Sequence, residues 1–188
     1  MRMKLSAFAA LLAGAALLAS CNKKDSDDNA NPNASNITAG QCTISFNTDK
    51  DFNGTTSINI PAGITTYAVK TPSGSIDQLS LTANKVDIVG TSAKTQIAML
   101  TIHVPTGSTT SGGSITGSFD DDNIDAVLLI SNLTAPNATP AYASESGTIT
   151  ITKLTATELE GSFSANCVNE EEGTSIKVSN GKFAAKFK

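Results

Sequence analysis

Arginine, histidine and tryptophan are almost absent from this chain of 188 residues. The only Arg is Arg2, the only His is His103, and there is no Trp. Beyond position 2 the chain has no Arg and so lacks the bidentate fork that binds phosphate groups. Its net charge of −4 also opposes binding to nucleic acid. One His and three Cys also leave little material for metal sites or nucleophile-base relays. We therefore expect no nucleic-acid or nucleotide partner, no cofactor and no catalysis.

The abundant residue types indicate a folded domain with a polar surface. Hydrophobic residues make up 39% of the chain, which is too much for a disordered protein. Ser and Thr together supply 45 residues, close to a quarter of the chain. The length suits a single domain.

The first twenty residues have the form of a cleaved signal peptide. A short basic start, Met1 to Lys4, precedes an uncharged apolar run from Leu5 to Ser20. This run is short for a membrane span, which needs about 20 residues. It ends in Leu18-Ala19-Ser20-Cys21, which resembles the bacterial lipobox. The resemblance implies cleavage before Cys21 and permanent attachment through acyl chains such as palmitate; an ordinary secretory peptide is the alternative.

Residues 21–40 are predicted to form the lipidated Cys and a disordered tether. The segment has no apolar periodicity and contains Pro32. The 19 residues after Cys21 have a root-mean-square reach of about 25 Å as a random coil. Lys23, Lys24 and the acidic residues that follow resemble the surface-export signal of Bacteroidota lipoproteins. We expect an outer-membrane protein exposed at the cell surface; a domain facing the periplasm is the alternative.

Removal of the signal leaves two thiols, Cys42 and Cys167, and 11 Lys against 17 acidic residues, a net charge of −6. Each thiol belongs to an alternating apolar segment, so both sulfurs are expected to face the core. An exported chain with an even number of thiols permits a disulfide. The sequence therefore favours a Cys42–Cys167 bridge, with two reduced, buried thiols as the alternative.

Residues 41–188 are predicted to form one all-β domain, an antiparallel sandwich or barrel-like fold of about ten short strands. Short segments rich in Thr, Ile, Val and Phe alternate with turn residues, and no long helical stripe occurs. The candidate strands are Cys42–Asn47, Thr56–Ile60, Thr66–Lys70, Leu79–Thr82, Lys85–Val89, Ala98–Val104, Ser114–Phe119, Ala126–Ser131, Gly147–Thr152, Gly161–Cys167, Ser175–Ser179 and Lys182–Phe187.

Two of these segments allow more than one interpretation. Asn180-Gly181 favours a tight turn between the last two strands, with a β-bulge as the competing interpretation. The run from Ala126 to Ile130 is apolar without alternation. It therefore predicts a strand covered on both faces, or a short helix.

The C-terminal half carries a family resemblance. The segments Ser146 to Leu154 (SGTITITKL), Leu159 to Ser164 (LEGSFS) and Ile176 to Phe183 (IKVSNGKF) resemble the closing pattern of a family of Bacteroidota lipoproteins. That family has no known function. The resemblance implies lipid anchorage and a β-rich domain, and it supplies no catalytic residue.

The densest set of oxygen donors is the candidate metal site. Asp120, Asp121, Asp122 and Asn123 are consecutive, and hard cations such as Ca²⁺ bind carboxylate and carbonyl oxygens of loops. The segment lacks the spaced donors, the Gly and the distal Glu of an EF-hand. A solvated loop between two strands accounts for the same residues.

Three classes of function are consistent with these features. The favoured one is a non-catalytic cell-envelope lipoprotein that acts as an interaction or structural module with an unknown protein or glycan partner. The second is a glycan-binding accessory protein, which would stack sugar rings on Tyr67 or Tyr142. The third is a carboxylate-based hydrolase, which requires two acidic residues in one cleft with one raised pKa.

Overall fold

A single curled antiparallel sheet dominates the computed structural model, which describes residues 36–52, 55–63, 65–89, 92–111, 113–119, 126–134 and 137–188. No α-helix occurs within these ranges. The strands are β1 (Gln41–Thr48), β2 (Ser57–Ile60), β3 (Thr66–Ser73), β4 (Ile76–Val89), β5 (Ser92–Pro105), β6 (Ile115–Ser118), β7 (Ala126–Thr134), β8 (Asn137–Leu154), β9 (Glu158–Asn169) and β10 (Thr174–Lys186). The all-β, barrel-like prediction is confirmed.

The order of strands in the sheet is β2-β1-β10-β9-β8-β7-β5-β4-β3. Strand β6 lies off this path and pairs with the second half of β8, while β7 pairs with its first half. Because both run antiparallel to β8, β6 and β7 follow one another along the same edge of that strand. The two strands therefore run in the same direction.

The two ends of the sheet approach each other where β1 contacts β3 and β4. Between these ends, the Ala68 amide of β3 donates a hydrogen bond to the Gly40 carbonyl, with a distance of 2.9 Å between the nitrogen and oxygen. The backbone nitrogen of Pro72 lies on the same side of β3 as the Ala68 amide. Because Pro has no N–H group, β3 lacks a hydrogen-bond donor there, as is usual for an edge strand.

The core is the concave side of the curled sheet, and it follows the period-2 alternation of the sequence. One row across four neighbouring strands consists of Ala68, Leu81, Leu100 and Leu128, all buried. Another joins Ile149 of β8 to Phe163 of β9. Since residues in one cross-strand row share a face, the alternate residues of each strand must form the outer surface.

The structure decides between the two interpretations of Asn180-Gly181. Asn180-Gly181 lies inside one continuous strand, β10, where the pairing with β9 shifts register between Val178 and Gly181. Asn180 has a φ of 53° there. The expected turn is therefore wrong, and the competing β-bulge is correct. Other predicted pairs also fuse, since Leu79–Thr82 and Lys85–Val89 form the single strand β4.

Candidate interaction surface

The outer face of β3, β4, β5 and β7 carries no Lys, Arg, Asp or Glu over its two central rows. One row consists of Val69, Ser80, Thr101 and Val127, and the next consists of Tyr67, Thr82, Met99 and Leu129. Four strands at about 4.8 Å spacing make this face about 14 Å wide. We call these eight residues the uncharged face.

Large apolar side chains are exposed on this side of the molecule. Tyr67 is 51% exposed, Val69 is 54% exposed and Val127 is 41% exposed. Two further exposed apolar residues, Ile76 and Val86, lie near the ends of β4. Among the residues that the structure describes, all large hydrophobic side chains classed as exposed therefore lie on β3, β4 and β7. An apolar group of this kind is typical of an interaction surface.

The run from Ala126 to Ile130 contributes directly to this surface. The run is a strand, as predicted, but the expected cover on both faces is wrong, and so is the alternative of a short helix. The segment is a strand that buries Ala126, Leu128 and Ile130 and leaves Val127 exposed. The sequence does not alternate here because the outward side of β7 is apolar as well.

The outer face of β8, β9, β10 and β1 has the opposite chemistry. Thr150, Ser162, Lys182 and Ser45 form one row across these strands. The Thr148 and Ser164 hydroxyls hydrogen-bond to each other at 3.1 Å. An open groove on this side is lined mainly by such polar groups, including Asn180. We call this surface the polar face.

Charged residues form a network at the end of the polar face. Lys153 Nζ lies 2.8 Å from Glu158 Oε2 and 3.3 Å from Glu160 Oε1. Lys186 Nζ is 4.0 Å from Glu158 Oε1. The hydrogen bond from Lys153 lowers the pKa of Glu158, and the hydrogen bonds to Glu158 and Glu160 raise the pKa of Lys153. Both shifts favour the charged forms of Lys153 and Glu158 at neutral pH.

Two other carboxylates also pair with lysines. Asp77 is buried and lies 2.9 Å from Lys70 Nζ, and Asp87 lies 3.3 Å from Lys85 Nζ. The hydrolase hypothesis needs two acidic groups in one cleft with a raised pKa. Glu158 and Glu160 are brought together by their shared contact with Lys153. The pKa of Glu158 is lowered, whereas the hydrolase hypothesis requires a raised pKa.

The expected bridge between Cys42 and Cys167 is wrong, because both thiols are free and buried. Cys42 pairs with Ala185, which pairs with Leu159 near the start of β9. From Leu159 to Cys167 the strand rises by about 25 Å at roughly 3.3 Å per residue. A disulfide requires Cα atoms within about 7 Å. Alternation correctly placed both thiols in the core, but it does not give their positions along neighbouring strands.

Cys42 lies where the two ends of the sheet meet. Its Sγ is 3.3 Å from the Tyr67 carbonyl oxygen and 3.4 Å from that of Thr82, and the thiol donates to these groups. Burial raises the pKa of both Cys42 and Cys167 to about 12. Both thiols are therefore neutral at physiological pH and poorly reactive.

Glycines of the closing pattern accommodate the rings of its phenylalanines. Gly181 pairs with Phe163, and Gly161 pairs with Phe183. A Cβ at Gly181 would lie 2.6 Å from the Phe163 ring, and a Cβ at Gly161 would overlap the Phe183 ring. Gly147 makes room for Phe119 in the same way. The segments SGT, GSF and NGKF thus have a packing role in the core, which sequence reasoning missed.

The two Tyr residues considered for sugar stacking have different surroundings. Tyr142 contacts Phe52 edge-on, with ring centroids 6.2 Å apart, and its hydroxyl lies 3.0 Å from Thr174 Oγ1. Tyr67 presents half of its surface to solvent. Of the two, Tyr67 is the ring that is open to a ligand.

Several predicted site residues lie outside the described ranges. Cys21 and the tether up to residue 35 belong to this set, as do Asp120, Asp121, Asp122 and Asn123. Within the described residues, no group of three or more His, Cys, Asp or Glu side chains is arranged to hold a metal ion. No helix in the same part of the chain is long and apolar enough to cross a membrane.

Comparisons with protein-family models, curated proteins and solved structures found no match for this chain.

Proposed function

We propose that this protein is a non-catalytic lipoprotein of the cell envelope, attached to the outer membrane through Cys21. Its β domain acts as an interaction or structural module. The observation that carries the proposal is the lipobox-like Leu18-Ala19-Ser20-Cys21 directly after a basic start and an uncharged apolar run. A tether-like segment and a folded domain follow in the order expected of such a protein.

The outer surface of the domain supports an interaction role. Its strands bury one side in the core, while β3 and β7 keep exposed apolar side chains on the other. Such side chains gain nothing from the fold itself and are available to a contact outside it. The resemblance of the closing segments to Bacteroidota lipoproteins points to the same class of protein.

Lipidation is tested by growing cells with a labelled palmitate and comparing the wild type with Cys21→Ser. We expect label and membrane association in the wild type and their loss in Cys21→Ser. Ser26→Ala, a change in the same segment outside the lipobox, should keep both. Label that persists in Cys21→Ser would overturn the proposed anchor. Protease treatment of intact cells then distinguishes a surface-exposed domain, which is degraded, from one that faces the periplasm.

A further inference from the structure

The chain enters the β domain beside the uncharged face. The Gly40 amide donates to the Lys186 carbonyl at 2.7 Å, and the Gly40 carbonyl accepts from the Ala68 amide at 2.9 Å. Ala68 is buried, and its chain neighbours Tyr67 and Val69 both point outward. The segment that leads back to Cys21 therefore meets the domain at the strand that carries the two most exposed apolar side chains of this face.

Resting on the proposed lipidation of Cys21, we propose that the uncharged face lies on the lipid bilayer to which the protein is anchored. A segment with a reach of about 25 Å allows a face beside its attachment point to touch the membrane without being stretched. Anchoring also keeps the domain at high effective concentration next to the lipid. Even a shallow apolar contact is then enough to orient the domain.

The chemistry of the face suits the boundary between headgroups and acyl chains. Tyr is one of the residues enriched at this boundary, since its ring is apolar and its hydroxyl is polar. Val69 on the same strand as Tyr67, and Val127 and Leu129 on the far side of the face, supply aliphatic surface. The two central rows contain no charged group that would have to be desolvated on contact. The hydroxyl groups of Ser80, Thr82 and Thr101 can remain hydrogen-bonded in the polar headgroup region.

The polar face is unsuited to the same contact. Lys182 lies in its central row, and the Lys153, Glu158, Glu160 and Lys186 network lies at its end. Burying these charges against lipid would cost free energy, because charged groups lose their hydration in an apolar environment. The proposed orientation leaves the polar face directed away from the bilayer, where it is accessible to partners in the envelope.

The absence of Trp provides a direct test, because one introduced Trp is the only such fluorophore in the chain. The lipidated full-length mature protein is reconstituted into phosphatidylcholine vesicles with brominated acyl chains, which quench Trp on contact. Two variants are compared, Tyr67→Trp on the uncharged face and Ser162→Trp on the polar face. We expect Tyr67→Trp to lose about half of its fluorescence, because interfacial side chains lie about 5–10 Å into the headgroup and acyl boundary. Ser162→Trp should be nearly unchanged.

A second pair of variants separates orientation from anchoring. Val127→Lys, added to Tyr67→Trp, places a charge in the uncharged face and should abolish most of the quenching. Thr150→Lys, added in the same way, places a charge on the polar face and should leave quenching unchanged. Thermal unfolding of each variant checks that the domain is intact, and all of them should still float with the vesicles.

Three results would overturn the inference. Flotation without quenching of Tyr67→Trp would show an anchored domain that does not lie on its uncharged face, and the proposed function would stand. Protection of the indole of Tyr67→Trp from an aqueous quencher without lipid, together with a dimer in sedimentation, would show that a second copy covers the face. Failure of the wild type to carry lipid or to float would overturn the anchor and the inference together.

Discussion

The uncharged face and the polar face belong to one sheet and cover one core, yet their outward residues differ in chemistry. In one, Val69, Ser80, Thr101 and Val127 form a row. In the other, the corresponding row contains Thr150, Ser162 and Lys182. Beneath both rows most of the inward residues are buried and apolar. The fold therefore constrains the inward side of each strand more closely than the outward side.

Loss of core volume under the uncharged face should have the largest effect. Leu100 is fully buried in β5, and Leu100→Ala is expected to lower the free energy of unfolding by about 2–5 kcal/mol. Its neighbour Thr101 faces outward, so Thr101→Ala should cost less than about 1 kcal/mol. Urea unfolding of both variants measures the difference. Equal losses would contradict the division into an inner and an outer face.

A smaller effect is expected from filling the space between β9 and β10 beneath the polar face. Gly181→Ala places a Cβ 2.6 Å from both the ring and the carbonyl oxygen of Phe163. Overpacking of this kind costs about 1–3 kcal/mol. Gly63→Ala is the matched control, because its Cβ would meet nothing within 4 Å. If thermal unfolding shows the same melting temperature for both variants, the glycine and phenylalanine packing is not needed for stability.

The two buried thiols should make the domain sensitive to alkaline pH. Their pKa is raised from about 9 to about 12 in the fold, so the unfolded chain loses these protons first. Below about pH 9 the thiols are protonated in both states, so their titration does not change the free energy of unfolding. That free energy falls as the pH rises from about 9 to about 12. Urea midpoints of the wild type and of the double variant Cys42→Ala, Cys167→Ala measure this effect.

Alkylation tests the same residues at neutral pH. The folded protein should resist labelling, and the unfolded, unreduced protein should take label on both Cys42 and Cys167. A bridged pair, which takes no label without reductant, would contradict the free thiols of the structure.

Exchanging outward residues between the two faces should have the smallest effect on stability. Val127→Thr on the uncharged face and Thr150→Val on the polar face each keep a β-branched side chain at a solvent-accessible strand position. Each is expected to change the free energy of unfolding by no more than about 0.5 kcal/mol. A loss above about 1 kcal/mol for Val127→Thr alone would indicate that the fold itself needs the apolar side chain.

The sequence predicted much of the β domain because alternation directly reports which side of a strand is buried. Most of the predicted segments are parts of strands. The fused strands were missed because turn-forming residues such as Asn84 and Asn180 also occur within long or bulged strands. The uncharged face was missed because the apolar run at Ala126 to Ile130 is equally consistent with burial on both sides.

By itself, the sequence determined the signal-like start, the lipobox-like Cys21, the β class of the domain and the inward direction of Cys42 and Cys167. These follow from local composition and from the period of the side chains, which need no knowledge of strand partners. Only the tertiary structure decided that Val69 and Val127 share a row and that the two thiols lie far apart. It also brought Gly40 beside Ala68. These facts depend on strand order and register, which are set by pairing between distant segments of the chain.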